Sequence, residues 1–207
     1  LFSILSRNTP LEYFIEGGRS RTGRLLPPKT GMLAMTVHGH LRGRAKPIVF
    51  IPTYVGYERL MEGATYVGEM NGKPKEAESI WGILQTLKKI ERIFGKVHVN
   101  FGEPVFLDDL LKAHGADQIT IEHNDDPIPQ EVSDAVTSSA NAILENINRA
   151  VVINPVSLLS LILLATPKHT LDEEICIKQL DTYRKLLTAN PYDSRTQVTP
   201  LSGKEII

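Results

Sequence analysis

An α/β layered domain followed by a helical segment is the fold the sequence predicts, on three observations. Short runs rich in Val, Ile and Phe at Glu12–Ile15, Pro47–Pro52 and Val97–Phe101 are fenced by Gly, Pro or Lys and read as strands. The stretches between them, Gly31–Leu41 and Ser79–Phe94, carry apolar residues at helical spacing, so strand and helix alternate. After Pro104 the strand-like runs stop and helical periodicity takes over. The chain therefore divides near residue 108, into an α/β portion over 1–108 and an acidic linker with helices over 109–207.

Taken in order, Leu-Phe-Ser-Ile-Leu at the start reads as the end of an amphipathic helix. The chain opens without Met and stops on Glu-Ile-Ile, so the expectation is an internal fragment of a longer protein. In Gly31–Leu41 the apolar face is expected from Met32, Met35, Val37 and Leu41. Gly63–Ala77 is a polar, Gly-rich connection, and Ser79–Phe94 follows as a helix with Ile80, Ile83, Leu84, Leu87, Ile90 and Phe94 recurring on one side. Asp108-Asp109 reads as a helix N-cap, and Asp117–Pro129, acidic and proline-bearing, as a surface linker. Gln130–Arg149 is a helix with Val132, Val136, Ala140, Ile143, Leu144 and Ile147 inward. Asn154-Pro155 breaks the chain, and Val156–Ala165 and Leu171–Leu187 are two further helices. The first is expected to be buried, and the second to start at a Thr170/Glu173 capping box.

The 207 residues carry a net charge of −1 and are 42% hydrophobic, enough for a packed core and no argument for nucleic acid. Charge is unevenly distributed. No acidic residue falls from Gly17 to Tyr57, where Arg19, Arg21, Arg24, Lys29, Arg42, Arg44 and Lys46 lie, and from Asp108 to Glu145 only Lys112 is basic. A basic segment raises the local concentration of an anionic ligand, though a solvated basic face reads the same way. The single cysteine, Cys176, excludes a disulfide framework or a cysteine zinc site and fits core packing. His38 and His40, two apart on a helix, do not share a face, so no metal site is supported. No apolar run reaches the ~18–20 residues of a spanning helix.

The densest chemistry lies in Phe14-Ile15-Glu16-Gly17-Gly18-Arg19-Ser20-Arg21-Thr22-Gly23-Arg24. A carboxylate ends an apolar run, two glycines follow, and three arginines fall within six residues. Glycine exposes backbone N–H groups, and a guanidinium presents a planar fork that matches phosphate oxygens in pairs. An ordinary solvated turn fits the spacing equally well. A Walker A loop does not: after Gly18 and Gly23 come Arg24 and Leu25, where Lys and Ser/Thr belong.

This stretch resembles the third sequence block of the glycerolipid acyltransferases, written F-x-E-G-x-R-S-R. Ile51-Pro52-Thr53-Tyr54-Val55-Gly56-Tyr57-Glu58 resembles the fourth. Pro28-Lys29-Thr30-Gly31 and Val99-Asn100-Phe101-Gly102-Glu103-Pro104 match as well, and Gly-Gly followed by Thr-Gly-Arg is similar to the bacterial, membrane-associated glycerol-3-phosphate branch. The resemblance implies the later part of an αβα acyltransferase domain. It implies Glu16, Gly17 and Gly18 in a glycerol-3-phosphate pocket, Arg19 and Arg21 on the phosphate, Ser20 bonding to it or shaping the turn, and Pro52 on the acyl side. Arg24 and Lys29 are weaker candidates, and Tyr54 and Tyr57 either line the acyl cleft or simply pack.

The resemblance further implies transfer of an acyl group from acyl-CoA or acyl carrier protein, with no other cofactor. It places the full protein peripherally on the cytoplasmic face of the bacterial inner membrane, with a lipid surface as partner. The family's base is a His in an H-x-x-x-x-D block. None of His38, His40, His98, His114, His123 and His169 has Asp five residues on; His169 has Glu174 there, but precedes a capped helix and reads as a surface residue. No catalytic residue is therefore assigned within these residues. Two other readings stay open: an acyltransferase for another acceptor such as lysophosphatidate, and a non-catalytic phosphate-binding or interaction module.

Overall fold

The structure, a computed structural model, describes residues 2–7, 9–18, 20, 24–43, 46–58, 96–123 and 126–207, without the side chains of Phe2 and Ser6. The connection expected at Gly63–Ala77 and the helix expected at Ser79–Phe94 lie outside the described residues. The chain is mixed α/β and forms two compact units, one from residues 1–53 and 101–148 and the other from 54–100 and 149–207. Contacts thus do not follow linear order: residues 109–148 belong with the first 53, across the division that composition suggested near 108.

The first unit holds helices α1 (Phe2–Ser6) and α2 (Gly31–Gly43), strands β1 (Val49–Phe50) and β4 (Val105–Phe106), and helices α3 (Leu107–Ala113) and α4 (Gln130–Arg149, its last residue in the second unit). β1 and β4 pair antiparallel, Val49 opposite Phe106 and Phe50 opposite Val105. Helix α4 has the bounds its periodicity predicts. Val132, Val136, Ala140 and Ile143 are buried as expected, with Leu144 and Ile147 packed at the margin.

Helix α2 corrects one expectation. Its buried stripe is Leu33, Val37 and Leu41, flanked by Thr36 and His40, while Met32 and Met35 are exposed. Leu33, Val37 and Leu41 are four apart and share a face, and Met35 falls almost opposite. Two polar residues can join that face because each has a partner: the Thr36 hydroxyl donates to the Met32 carbonyl at 2.8 Å, and His40 Nε2 lies 2.9 Å from Asp108 Oδ1. Asp108 and Asp109 are not caps. They stand in the first turn of α3, whose N-cap is Phe106, where a negative charge suits the helix dipole.

Glu12–Ile15 is not a strand; it runs into a turn at Ile15, with no ladder partner among the described residues. Tyr13 and Ile15 still point into the core while Phe14 points out. Pro47–Pro52 shortens to β1, and the chain resumes as strand β2 (Thr53–Tyr57) beyond Pro52.

β2 pairs with β3 (Val97–Phe101), both in the second unit except for their end residues Thr53 and Phe101, and Glu58 closes the pair by accepting from the Lys96 N–H at 2.9 Å. Strands β5 (Val152–Ile153) and β6 (Gln197–Val198) pair in parallel. Asn100 ties these segments together: its amide donates to the carbonyls of Ala150 at 2.9 Å and Arg195 at 2.8 Å. Helices α5 (Pro155–Ala165) and α6 (Glu173–Ala189) pack Leu158 and Ile162 against Cys176 and Leu180, so the cysteine is a core residue. Only that face of α5 is buried; Val156, Leu161 and Leu164 are exposed, against the expectation of a buried helix. The cap of α6 is Asp172, whose carboxylate accepts from the N–H groups of Glu174 and Ile175, in place of the Thr170 box. A short helix, α7 (Gly203–Ile206), ends the chain.

Candidate functional site

In the first unit the chain turns sharply after Phe14, and its return is tied back in three ways. The Gly17 N–H donates to the Phe14 carbonyl at 3.0 Å, making the turn. Gly17 has φ +60°, the left-handed region that glycine enters without penalty. The Lys29 N–H donates to the Ile15 carbonyl at 2.7 Å, so residues 16–28 leave and re-enter at one place. Glu16 Oε2 accepts from the Leu26 N–H at 2.7 Å, a charge-assisted bond across the base of the loop. The Lys29 stem lies over Gly17, where an added Cβ would stand 2.7 Å from Lys29 Cγ.

Glu16, Gly17 and Lys29 are therefore brought together, as the motif suggested. Above Gly18 there is open space, with nothing within 4 Å of where a Cβ would be. The Ser20 hydroxyl oxygen is buried and has no hydrogen-bond partner among the described residues. Arg24 is exposed. Arg19 and Arg21 lie outside the described residues; by sequence both fall inside the loop that Glu16 and Lys29 close.

Pro52 packs under the Gly102 turn. It is fully buried, and its carbonyl accepts from the Gly102 N–H at 2.8 Å. Gly102 has no room for a side chain: a Cβ would stand 2.5 Å from the Asn146 carbonyl oxygen on α4 and 3.1 Å from Pro52 Cβ. The Asn146 amide donates to the Glu103 carbonyl at 2.9 Å. The Asn-Phe-Gly-Glu-Pro motif is thus a packing joint whose glycine is required by close backbone approach.

Tyr54 is half-buried, and burial pushes its phenol above the ordinary value, partly offset by a hydrogen bond with the Val152 backbone. Tyr57 is exposed. Of the histidines, His40 is buried against Asp108, and the buried His38 Nε2 has no partner among the described residues. His98, with Glu103 five residues on, faces Glu58 at 3.4 Å. His169 is exposed, as its sequence setting suggested. Sequence reasoning missed two contacts here. The Leu26 tie is a backbone N–H that no residue type announces, and the Asp108 partner of His40 lies 68 positions away.

A segment whose ends are tied together and whose sequence carries arginines after two glycines has the residue types to hold an anion. Comparison with known proteins gives the family of the chain. Residues 66–207 match the family described as the glycerol-3-phosphate acyltransferase C-terminal region, and the chain belongs to that family. It is 48% identical over 95% of its length to a glycerol-3-phosphate acyltransferase of Xanthomonas campestris pv. campestris, covering 22% of that protein. It is 42% identical over its whole length to one of Pseudomonas fluorescens, covering 25% of it, and 45% identical to one of Xylella fastidiosa, covering 23%. The chain therefore spans about a quarter or less of the length of these relatives. No helix among the described residues is long and apolar enough to cross a membrane.

Proposed function

We propose that the chain is part of an sn-glycerol-3-phosphate 1-O-acyltransferase that makes lysophosphatidate for phospholipid synthesis. One observation carries the reading: the residues flanking the arginines are tied together, Glu16 to the Leu26 N–H and Ile15 to the Lys29 N–H, in a chain that aligns over its whole length with a relative of that name. In this reading Arg19 and Arg21 take the phosphate of glycerol-3-phosphate, with the Gly17–Gly18 backbone and Ser20 beside it. The 1-hydroxyl attacks the thioester carbonyl of acyl-CoA or acyl carrier protein. The new C–O bond forms, the C–S bond breaks, and the hydroxyl proton passes to a base. That base is assigned to an H-x-x-x-x-D block outside these residues. Pro52 serves the acyl side only by fixing the strand that follows it. The enzyme works at the cytoplasmic face of the bacterial inner membrane, held peripherally at the lipid surface.

Full-length enzyme given acyl-CoA and either glycerol-3-phosphate or lysophosphatidate is expected to acylate the first and yield lysophosphatidate, read by product chromatography. Acylation of lysophosphatidate alone would assign the chain to the other acceptor branch. Phosphate binding without acyl transfer to either would make it a binding module.

A further inference from the structure

We propose that the solvent side of α5 is a docking face for another part of the same full-length polypeptide, outside these 207 residues; this goes beyond the function proposed above. Helix α5 (Pro155–Ala165) carries no charged residue, and its only polar side chains are Ser157 and Ser160. A helix that is apolar all round belongs in a core. Here one side is covered: Leu158 and Ile162 pack on Cys176 and Leu180 of α6. The other side is open, with Val156, Ser160 and Leu164 four apart and Leu161 beside them, and Leu164 is 72% exposed. The solvent sides of α4 and α6 carry charge instead, Glu131, Asp134 and Glu145 on one and Glu174, Lys178 and Lys185 on the other. The start of the bare helix is fixed, since the Asn154 side chain accepts from the Ser157 N–H at 2.8 Å.

Size and charge select the occupant. A few partly exposed apolar side chains on one helix fall far short of the ~800 Å² per partner that separate chains bury in a stable complex. A segment of the same polypeptide needs no such area, because it is already tethered and loses little freedom on docking. The chain covers only 22–25% of the length of relatives at 42–48% identity, so a protein of that size has ample chain for the contact. A lipid surface is the poorer match. At the α5–α6 junction Asp172, Glu173 and Glu174 are exposed beside one lysine, Lys168, whereas an anionic leaflet attracts bases.

The test uses full-length enzyme in vesicles of phosphatidylethanolamine and phosphatidylglycerol, with Leu164 or, in a second protein, Leu161 replaced by a diazirine-bearing leucine analogue. After irradiation, cross-linked dimers are separated by size and the monomer is digested. Mass spectrometry is expected to find the label joined to peptides of the same polypeptide outside these 207 residues. Label joined to lipid, to a second copy, only to peptides within these residues, or only to water would overturn the proposal. Leu164→Asp is expected to lower the melting temperature of the full-length enzyme by roughly 4–8 °C, as for a charge forced into an apolar contact. Thr182→Asp, on the exposed side of α6, should shift it by less than about 2 °C. Equal shifts would mean that α5 faces water and would also overturn the proposal. Neither readout involves acyl transfer, so the docking face and the proposed function stand or fall separately.

Discussion

Gly102→Ala is expected to destabilise the unit built from residues 1–53 and 101–148 severely. The added methyl would lie 2.5 Å from the Asn146 carbonyl oxygen and 3.1 Å from Pro52 Cβ. Neither neighbour can swing away. One is helix backbone, and the other is a fully buried proline whose carbonyl already binds the Gly102 N–H. Overpacking a core costs about 1–3 kcal/mol where side chains can yield. Against backbone the cost is about 3 kcal/mol or more, a large share of the ~5–15 kcal/mol by which a domain is stable. Thermal unfolding of the full-length protein should fall by roughly 10–20 °C for the transition of this unit. Gly31→Ala is the control: it stands at the start of α2 with nothing within 4 Å and should change stability by less than about 1 kcal/mol. Equal behaviour of the two variants would mean that the Gly102 joint is looser than the structure shows.

The 207-residue chain alone is expected to form no measurable lysophosphatidate where full-length enzyme does. The stretch proposed to hold the phosphate is present, but no histidine of the chain has Asp five residues on. Losing a positioned base costs about 10²–10⁴-fold. Among the described residues there is a His–Asp pair, His40 with Asp108. The Nε2 that faces Asp108 is engaged, and the side chain is only 8% exposed, so the imidazole is not presented to an alcohol. We assign that pair to holding α2 against α3. If the isolated chain turned over glycerol-3-phosphate free of host enzyme, the base would lie within these residues, and His38 and His40 would be the first to replace.

How much was legible depended on the kind of contact. Helix α4 was read to the residue because twenty positions of helical period leave little ambiguity, and strand β3 because Val97–Phe101 is fenced by Lys96 and Gly102. Glu12–Ile15 has the composition of a strand, yet a strand exists only with a neighbour, which composition does not reveal. Thr36 and His40 are absent from the expected inward face; their partners, a backbone carbonyl and a distant Asp108, put them in the core. The interleaved units escaped detection because local composition changes near residue 108 while long-range packing joins 101–148 to the first 53. At the site, Glu16, Gly17 and the arginines stood out by residue type. The closure of the loop did not, because it runs through the Leu26 and Lys29 N–H groups, which every non-proline residue has.

In the function proposed above, the Glu16–Lys29 segment carries the acceptor's phosphate. The most direct measurement is the pair of KM values in full-length enzyme, wild type against Arg19→Ala and Arg21→Ala. Each arginine lost removes a charge-assisted interaction worth roughly 1.5–3 kcal/mol, so the glycerol-3-phosphate KM should rise about 10–100-fold while the acyl-donor KM holds. Arg21→Lys should recover only part of the loss, because an ammonium keeps the charge but not the fork of donors. A donor KM that rises while the glycerol-3-phosphate KM stays put would contradict the account and move the arginine loop to the acyl side of the site.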